Sequence, residues 1–379
     1  MRRIGVLANT FEPVFGEKAG GHVHFIEVVK RWRNVDVVIF APEEARSTMS
    51  RELPQTRFVP MPSTDLRTNV AQIRNLFRAL LGLTKISEMR RCDAILATSH
   101  FLPDLAPAFA ARPRNVVVCI HHVLHGVKKR GGNLIANVVS LSFQELSFWL
   151  VRRFARAVIA NDPAAVQATG ISSETVRFFQ MRHGIEHVSQ VEAVPKVSDV
   201  SALYLGRLVP SKGIGDLLRA WKIVIERFPT ATLLIAGHAS ATYAAELRGE
   251  ATALGIEERV RFFGGFSDAD KIALLASARV FAFPSKEEGW GIVLAEAMSQ
   301  GLPCVTYDLP TFRRDFVRGR LAAPIGDVFA FAQLLIRLFD DDDLRRRMGA
   351  DARTLAQTFS WDEAARIELE ALTFAARGR

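Results

Sequence analysis

Short β-branched runs alternate with longer stretches of helical periodicity along the whole chain, the pattern of parallel sheets joined by crossover helices. In the first half this predicts strands at Ile4–Ala8, Val35–Phe40, Ala94–Ala97, Val116–Ile120, Ala157–Ala160 and Val176–Phe179. In the second half it predicts Ala202–Leu205, Thr232–Ala236, Val260–Phe263, Val280–Phe283 and Pro303–Thr306. Glu186 to Ser201 is polar, contains Pro195 and holds few large apolar residues, so it reads as a linker. The expected fold class is α/β, with two doubly wound, Rossmann-like domains at residues 1–190 and 198–360. A helix at 361–379 is expected to pack back toward the first domain.

Two segments depart from the simple pattern. Asn133 to Val151 is nearly continuous in apolar residues and is bracketed by Lys128-Lys129-Arg130 and by Arg152, Arg153 and Arg156. It fits either a helix packed between a sheet and its neighbour or a helix resting in a membrane interface, with basic flanks toward anionic lipid. Asp340 to Asp343 looks at first like a metal-binding acidic run. It lies between two helical patterns, Val328–Phe339 and Leu344–Thr358, where aspartate caps free amides and complements the helix dipole, and capping is the better reading.

Length and composition narrow the class. A chain of 379 residues, 49% of them hydrophobic, exceeds one core and has enough apolar content for two. No run of eighteen uncharged apolar residues occurs and no secretory pattern opens the chain, so a cytoplasmic location is expected. Cys92, Cys119 and Cys304 lie in or beside apolar runs without metal-ligand spacing, which predicts buried thiols. The net charge of +9 is concentrated: residues 1–197 hold 26 basic against 16 acidic residues, the remainder 23 against 24. This points to an anionic acceptor or membrane surface near the first half. No nucleic-acid module or aromatic-interleaved basic stripe appears.

The most informative segment runs from Phe281 to Val305. A strand ends at Pro284, a loop carries Glu288-Gly289-Trp290-Gly291, and a helix begins near Ile292, which puts the loop at the carboxyl edge of a sheet. Gly289 and Gly291 let backbone amides come close to a ligand, and the helix start offers unpaired N–H groups to phosphate. Glu288 in the loop and Glu296 in the helix place two carboxylates toward one pocket, and a carboxylate can accept two sugar hydroxyls.

This segment resembles the Glu-x7-Glu signature of family 4 glycosyltransferases and related retaining enzymes of the GT-B fold. Leu205-Gly206-Arg207-Leu208 with Lys212-Gly213, Leu234-Ile235-Ala236-Gly237, Val260 to Gly265 and Phe359-Ser360-Trp361 extend the resemblance over most of the second half. It implies two domains facing each other across a cleft, with a nucleotide diphosphate-sugar bound by the second. Donor contacts are implied for Gly21, Arg207, Lys212, Gly265, Glu288, Gly289, Trp290, Gly291, Ile292, Val293 and Glu296. Glu296 would take the ribose hydroxyls and Glu288 the sugar hydroxyls, while the Trp290 to Val293 backbone meets sugar and phosphate. Arg207 and Lys212 follow the domain's first strand, where a two-pronged guanidinium and a point charge would stabilise the departing diphosphate.

In the first half the resemblance falls on Gly20-Gly21 before a helix over His22 to Trp32 and on His121, which ends the Val116–Ile120 strand and is implied to sit near the reacting sugar. His122 follows where the family often has aspartate, and Met181 to Glu186 replaces a family turn, keeping its glycine and acid. His22, His24, His125, His187 and His238 show no partner by spacing. The catalytic set is therefore His121, Glu288, Arg207 and Lys212, with no metal and no resident cofactor expected. The implied reaction is retaining transfer of a hexose to a glycan or lipid-linked acceptor, by same-face attack in which the leaving phosphate helps take the acceptor proton. Glu12, Glu17 and Glu27 have no context that would mark a glycosidase-type nucleophile. A nucleotide-sugar epimerase and a non-catalytic nucleotide-sugar binding protein are the alternatives. A dinucleotide oxidoreductase is disfavoured, since no Gly-x-Gly-x-x-Gly follows either first strand.

Overall fold

The computed structural model describes residues 3–11, 20–62, 71–121, 123, 134–186 and 200–377. The chain forms two compact units, Met1–Gly184 with Trp361–Arg379, and Ile185–Ser360. His122, His125, His187, Glu12, Glu17, the Lys128 to Arg130 cluster and most of the linker, Pro195 included, lie outside the described residues.

The first unit holds β1 (Arg3–Leu7), β2 (Asp36–Pro42), β3 (Arg57–Met61), β4 (Ala94–Ala97), β5 (Val116–Ile120), β6 (Ala157–Ala160) and β7 (Arg177–Gln180). They form one parallel sheet in the order β3-β2-β1-β4-β5-β6-β7. β4, β5 and β6 are buried at every position, as a sheet covered by helices on both faces requires. Helix Trp361–Ala376 belongs to this unit and packs on helix Gly20–Arg31 and on β4 to β7; the indole of Trp32 donates to the Ala365 carbonyl at 3.2 Å.

The second unit holds β8 (Val200–Leu205), β9 (Leu233–Ala236), β10 (Val260–Phe263), β11 (Ala278–Phe283), β12 (Cys304–Tyr307) and β13 (Arg320–Ala323), parallel in the order β10-β9-β8-β11-β12-β13. Trp221, Tyr204, Tyr307, Phe281, Phe312, Phe316 and Phe331 are fully buried in its core.

Two strands escape the sequence pattern. β3 is an edge strand interrupted by Pro60, which cannot donate to a ladder, and β13 is an edge strand of only four residues ending in two alanines. The acidic run is a cap: Asp341 accepts the Leu344 amide at 2.7 Å, and Asp342 and Asp343 pair with Arg345 and Arg346. The three cysteines are buried, and burial pushes the Cys92 thiol up to about 11. The apolar helix Leu134–Phe154 serves the core with Phe148 and Val151 while Val138, Leu146 and Trp149 are exposed. Of its basic flank, Arg152 donates to the Thr169 carbonyl at 2.6 Å and Arg156 lies over the Phe374 ring. Among the described residues no helix is long and apolar enough to cross a membrane.

At the carboxyl end of β1 and β4 the turns are tied to Asp104, in the first turn of helix Leu102–Ala111. Its carboxylate accepts the Ser99 hydroxyl at 2.5 Å, the Thr10 hydroxyl at 2.9 Å and the Thr10 amide at 3.2 Å. Burial pushes this carboxyl up to about 6, and the bonds from Ser99 and Thr10 only partly restore the charged form. Because the folded value is raised, the group favours folding below the ordinary carboxyl range and loses that contribution as pH rises toward 6. Asp104→Asn, whose hydroxyl partners can turn to accept, should remove a slope on the order of 3 kcal/mol between about pH 4 and 6. Chemical denaturation across that window measures it, and an unchanged slope in the variant would refute the assignment.

Candidate functional site

The loops that follow β10, β9, β8 and β11 leave four neighbouring strands at the carboxyl edge of the second sheet, and glycines let them touch. Gly237 after β9 has φ +148, and a Cβ there would lie 1.8 Å from the Gly206 carbonyl oxygen. Gly213 has φ +72, and its Cβ would lie 2.1 Å from the Pro284 carbonyl oxygen. Only glycine permits both the left-handed backbone and the approach. The amide of Lys286 donates to the Ser211 carbonyl at 2.9 Å, a second tie between the same two loops.

That closeness brings Lys212 to the Glu288 loop. Lys212 Nζ donates to Glu288 Oε1 at 2.6 Å and to the Glu287 carbonyl at 3.3 Å, with both charged side chains mostly shielded from water. Arg207 is exposed, and its carbonyl accepts the Tyr204 hydroxyl at 3.0 Å. Burial, with Glu288 close by, pushes the Tyr204 phenol well above its usual range, so it remains a neutral donor there.

Gly289 leads into Trp290, whose indole is buried against Phe316 and Phe359 at ring separations of 5.2 and 4.9 Å. The side chain therefore anchors the loop in the core. Gly291, φ +117, precedes helix Ile292–Ser299, which starts without a side-chain cap, and Ile292 and Val293 open it. Glu296, in the same helix, accepts Lys271 Nζ at 2.7 Å.

Two residues here carry no sequence signal. Lys271 sits in helix Asp268–Ser277 behind a Ser267–Asp270 capping box and looks like an ordinary exposed helix residue. His238 lies so close to Gly265 that a Cβ on the glycine would meet its ring Nε2 at 2.0 Å, so these loops too are fitted to each other. Only the register of β9 with β10 makes that pair visible.

In the first unit, Gly21 and His121 come together. A Cβ on Gly21 would stand 3.2 Å from His121 Nε2, and that nitrogen lies 3.0 Å from the Thr98 carbonyl, to which it must donate. Glu27 faces away from any such role, held by Lys30 and Arg31, whose cations offset its burial and lower its carboxyl below the usual range. His24 does have partners: His183 and Glu368. His22 stacks on Phe11. Among the described residues no group of three or more His, Cys, Asp or Glu is placed to hold a metal ion.

With this geometry in place, likeness to known proteins becomes informative. Residues 190–355 match the family model for glycosyl transferases group 1. The phosphatidyl-myo-inositol mannosyltransferase of Mycobacterium leprae is 32% identical over 222 residues, 56% of this chain and 57% of the relative, so the chain spans little more than half of that protein. Among solved structures, Anabaena Alr3699/HepE in complex with UDP and glucose superposes with a TM-score of 0.75 at 20% identity, over 98% of this chain and all of the other. WaaG, a glycosyltransferase involved in lipopolysaccharide biosynthesis, superposes with a TM-score of 0.73 at 17% identity, over 96% and 99%. These likenesses show the fold, the two-unit GT-B organisation. The matched segment contains the second-unit residues of the site named above, Phe359 excepted.

Gly213→Ala should cost the fold about 2 to 4 kcal/mol, through left-handed strain and the Pro284 contact. Gly249→Ala, inside helix Ala241–Ala253 with nothing within 4 Å, should gain up to about 1 kcal/mol. Denaturant midpoints of the two variants test this, and a neutral Gly213→Ala would show that the loops are not in the contact described.

Proposed function

We propose that the chain is a retaining glycosyltransferase that moves a hexose from a nucleotide diphosphate-sugar to a glycan or lipid-linked acceptor, without a bound metal. The observation that carries the reading is the 2.6 Å contact of Lys212 with Glu288. It joins the cationic turn after β8 and the acidic loop after β11 in one place, which is what an activated sugar with a charged leaving group needs. A diphosphate draws on Lys212 and Arg207, the latter capable of two parallel bonds, while Glu288 turns to sugar hydroxyls. Glu296, paired with Lys271, takes the ribose hydroxyls in this reading. The amides at Gly289 to Val293 and the uncapped helix start supply N–H groups to phosphate.

In the reaction the glycosidic bond to the diphosphate breaks as the acceptor oxygen forms the new bond on the same face of the sugar. The leaving phosphate oxygen takes the acceptor proton, and Lys212 and Arg207 stabilise the charge that develops on it. His121, which the family resemblance implies as a contact of the reacting sugar, has its ring held by the Thr98 carbonyl and by the closeness of Gly21. The match of residues 190–355 to the group 1 family model supports a sugar-transfer activity. The relative named as a phosphatidyl-myo-inositol mannosyltransferase supports a lipid-linked acceptor. So does the surface of the first unit. Ile73, Leu76, Phe77 and Leu80 form an exposed stripe at helical spacing on helix Ala71–Gly82, and Leu146 and Trp149 are exposed on helix Leu134–Phe154. An apolar stripe on the more basic half fits peripheral contact with an anionic membrane from the cytoplasmic side.

Incubation with UDP-, GDP- and ADP-sugars, following free nucleotide diphosphate and the anomeric configuration of product by NMR, tests the assignment. Arg207→Ala and Lys212→Ala should each lower kcat/KM by about 100-fold or more, and EDTA should leave the rate within about threefold. Variants within a few fold of wild type would remove the phosphate-clamp role, and donor conversion without acceptor would indicate an epimerase. Sedimentation with anionic vesicles should be lost in Phe77→Asp/Leu80→Asp, and absence of wild-type binding at low salt would remove the membrane contact.

A further inference from the structure

Within the first unit a line of buried polar groups runs from helix Trp361–Ala376 to the end of β5. Glu368 Oε1 meets His24 Nε2 in a very short contact. His24 Nδ1 lies 3.1 Å from His183 Nδ1, and His183 Nε2 lies 2.6 Å from Asn161 Oδ1. Asn161 Nδ2 donates to the His121 carbonyl at 2.7 Å. The four side chains come from two helices, Gly20–Arg31 and Trp361–Ala376, and from the segments after β6 and β7, and none is more than 6% exposed. Trp361 stands against both imidazoles, at 5.7 and 6.4 Å.

Hydrogen-bond accounting fixes the direction of this line. The His121 carbonyl can only accept, so the Asn161 amide nitrogen must point to it and Oδ1 to His183. His183 Nε2 must then carry a hydrogen. Three bonds link Glu368 to Asn161 through the two imidazoles, and each needs one proton. Two neutral imidazoles supply two, so a third is held among His24, His183 and Glu368. With a carboxylate as the starting charge, the line is neutral wherever that proton sits.

Neighbouring charges are engaged elsewhere. On the same helix Glu363 and Glu370 pair with Arg366, and Asp362 with Arg31. On the elements beneath it, Glu27 is held by Lys30 and Arg31, and Arg177 lies over Phe374. The Cys119 thiol on β5 is pushed far above its usual range by burial, and then by Glu368 and Asp104, so it supplies no charge. Glu368 Oε2 has no hydrogen-bond partner among the described residues, so His24 is its only compensation. Well-packed apolar residues would hold a helix on a sheet at less cost than such a line. What apolar residues cannot do is fix the direction and position of a backbone carbonyl.

We propose that Glu368, His24, His183 and Asn161 are positioning residues, a one-directional hydrogen-bond line through which the carboxyl-terminal helix sets the place of His121. This rests on the reading that His121 stands beside the reacting sugar, and it reaches further by giving the last helix a part in the chemistry. Gly21 and the His24 ring, 5.9 Å from the His121 ring, close the other side.

The experiment labels histidine with nitrogen-15 and reads imidazole tautomers in the wild type, Glu368→Gln and Glu368→Met. His183 should carry its hydrogen at Nε2 in the wild type. In Glu368→Gln the amide donates to His24 Nε2 and keeps the line complete, so the His121 signals should match the wild type and turnover should stay within about threefold. Glu368→Met fills the space without a donor. There the His121 signals should shift and kcat fall by about 100-fold, with the donor KM within about threefold. Should Glu368→Met not fold, Asn161→Leu, which removes the bonds to both His183 and the His121 carbonyl while leaving Glu368 and His24 in place, takes its place with the same expectation. A His183 hydrogen on Nδ1 alone, unmoved His121 signals in Glu368→Met, or equal losses in Gln and Met would overturn the proposal. If the wild type turns over no donor, the transferase reading fails, while the tautomers and His121 signals still decide the line.

Discussion

The carbonyl oxygens of Gly206 and Pro284 lie where side chains would stand at Gly237 and Gly213, and the site of the second unit follows from that closeness. In a parallel sheet all loops of one edge emerge together, but ordinary side chains would hold them apart by several ångströms. Glycine at left-handed φ removes that spacer. The β8 turn then meets the β11 loop, Lys212 reaches Glu288, and Trp290 can sink between Phe316 and Phe359. The site is thus made of fixed main chain first and of charged side chains second. Such a frame can hold a charged ligand without reordering the backbone.

The first unit reaches a similar end by a different route. Its edge is lined by buried polar residues, Asn9, Thr98, Ser99, Asn161 and His183, each at or just after a strand end. Asp104 gathers the first turns and the line from Glu368 to Asn161 the later ones, while His121 is held at its ring by the Thr98 carbonyl and at its own carbonyl by Asn161. Removing one partner from either cluster would leave a buried group unsatisfied, which costs more than an average hydrogen bond contributes. This links a helix at the far end of the sequence to a strand near its first third.

Surface charge and surface apolarity are also divided between the halves. The excess of basic residues lies in residues 1–197, and the exposed stripe from Ile73 to Leu80 belongs to the same unit. The group 1 segment, with nearly balanced charge, carries the glycine-built edge.

Most of the strand framework was legible because buried parallel strands are runs of valine, isoleucine, leucine and alanine, and the period is a local property. The Glu288 to Glu296 loop, the capping role of Asp341 and the burial of the cysteines were legible for the same reason. β3 and β13 were not, since Pro60 and a short alanine-ended segment carry no strand signal and only a neighbour at the sheet edge makes them strands. Lys271 with Glu296, His238 with Gly265, and His24 with His183 and Glu368 were equally hidden. These partners are separated by 25 to 344 positions, and nothing in their local surroundings marks one for the other. The sequence by itself determined most of the segments that become strands and helices and where the glycine-bearing loops fall, because those depend on neighbours along the chain. The tertiary structure alone decided which charges and imidazoles meet, because that depends on strand order and on the few glycines that let loops touch.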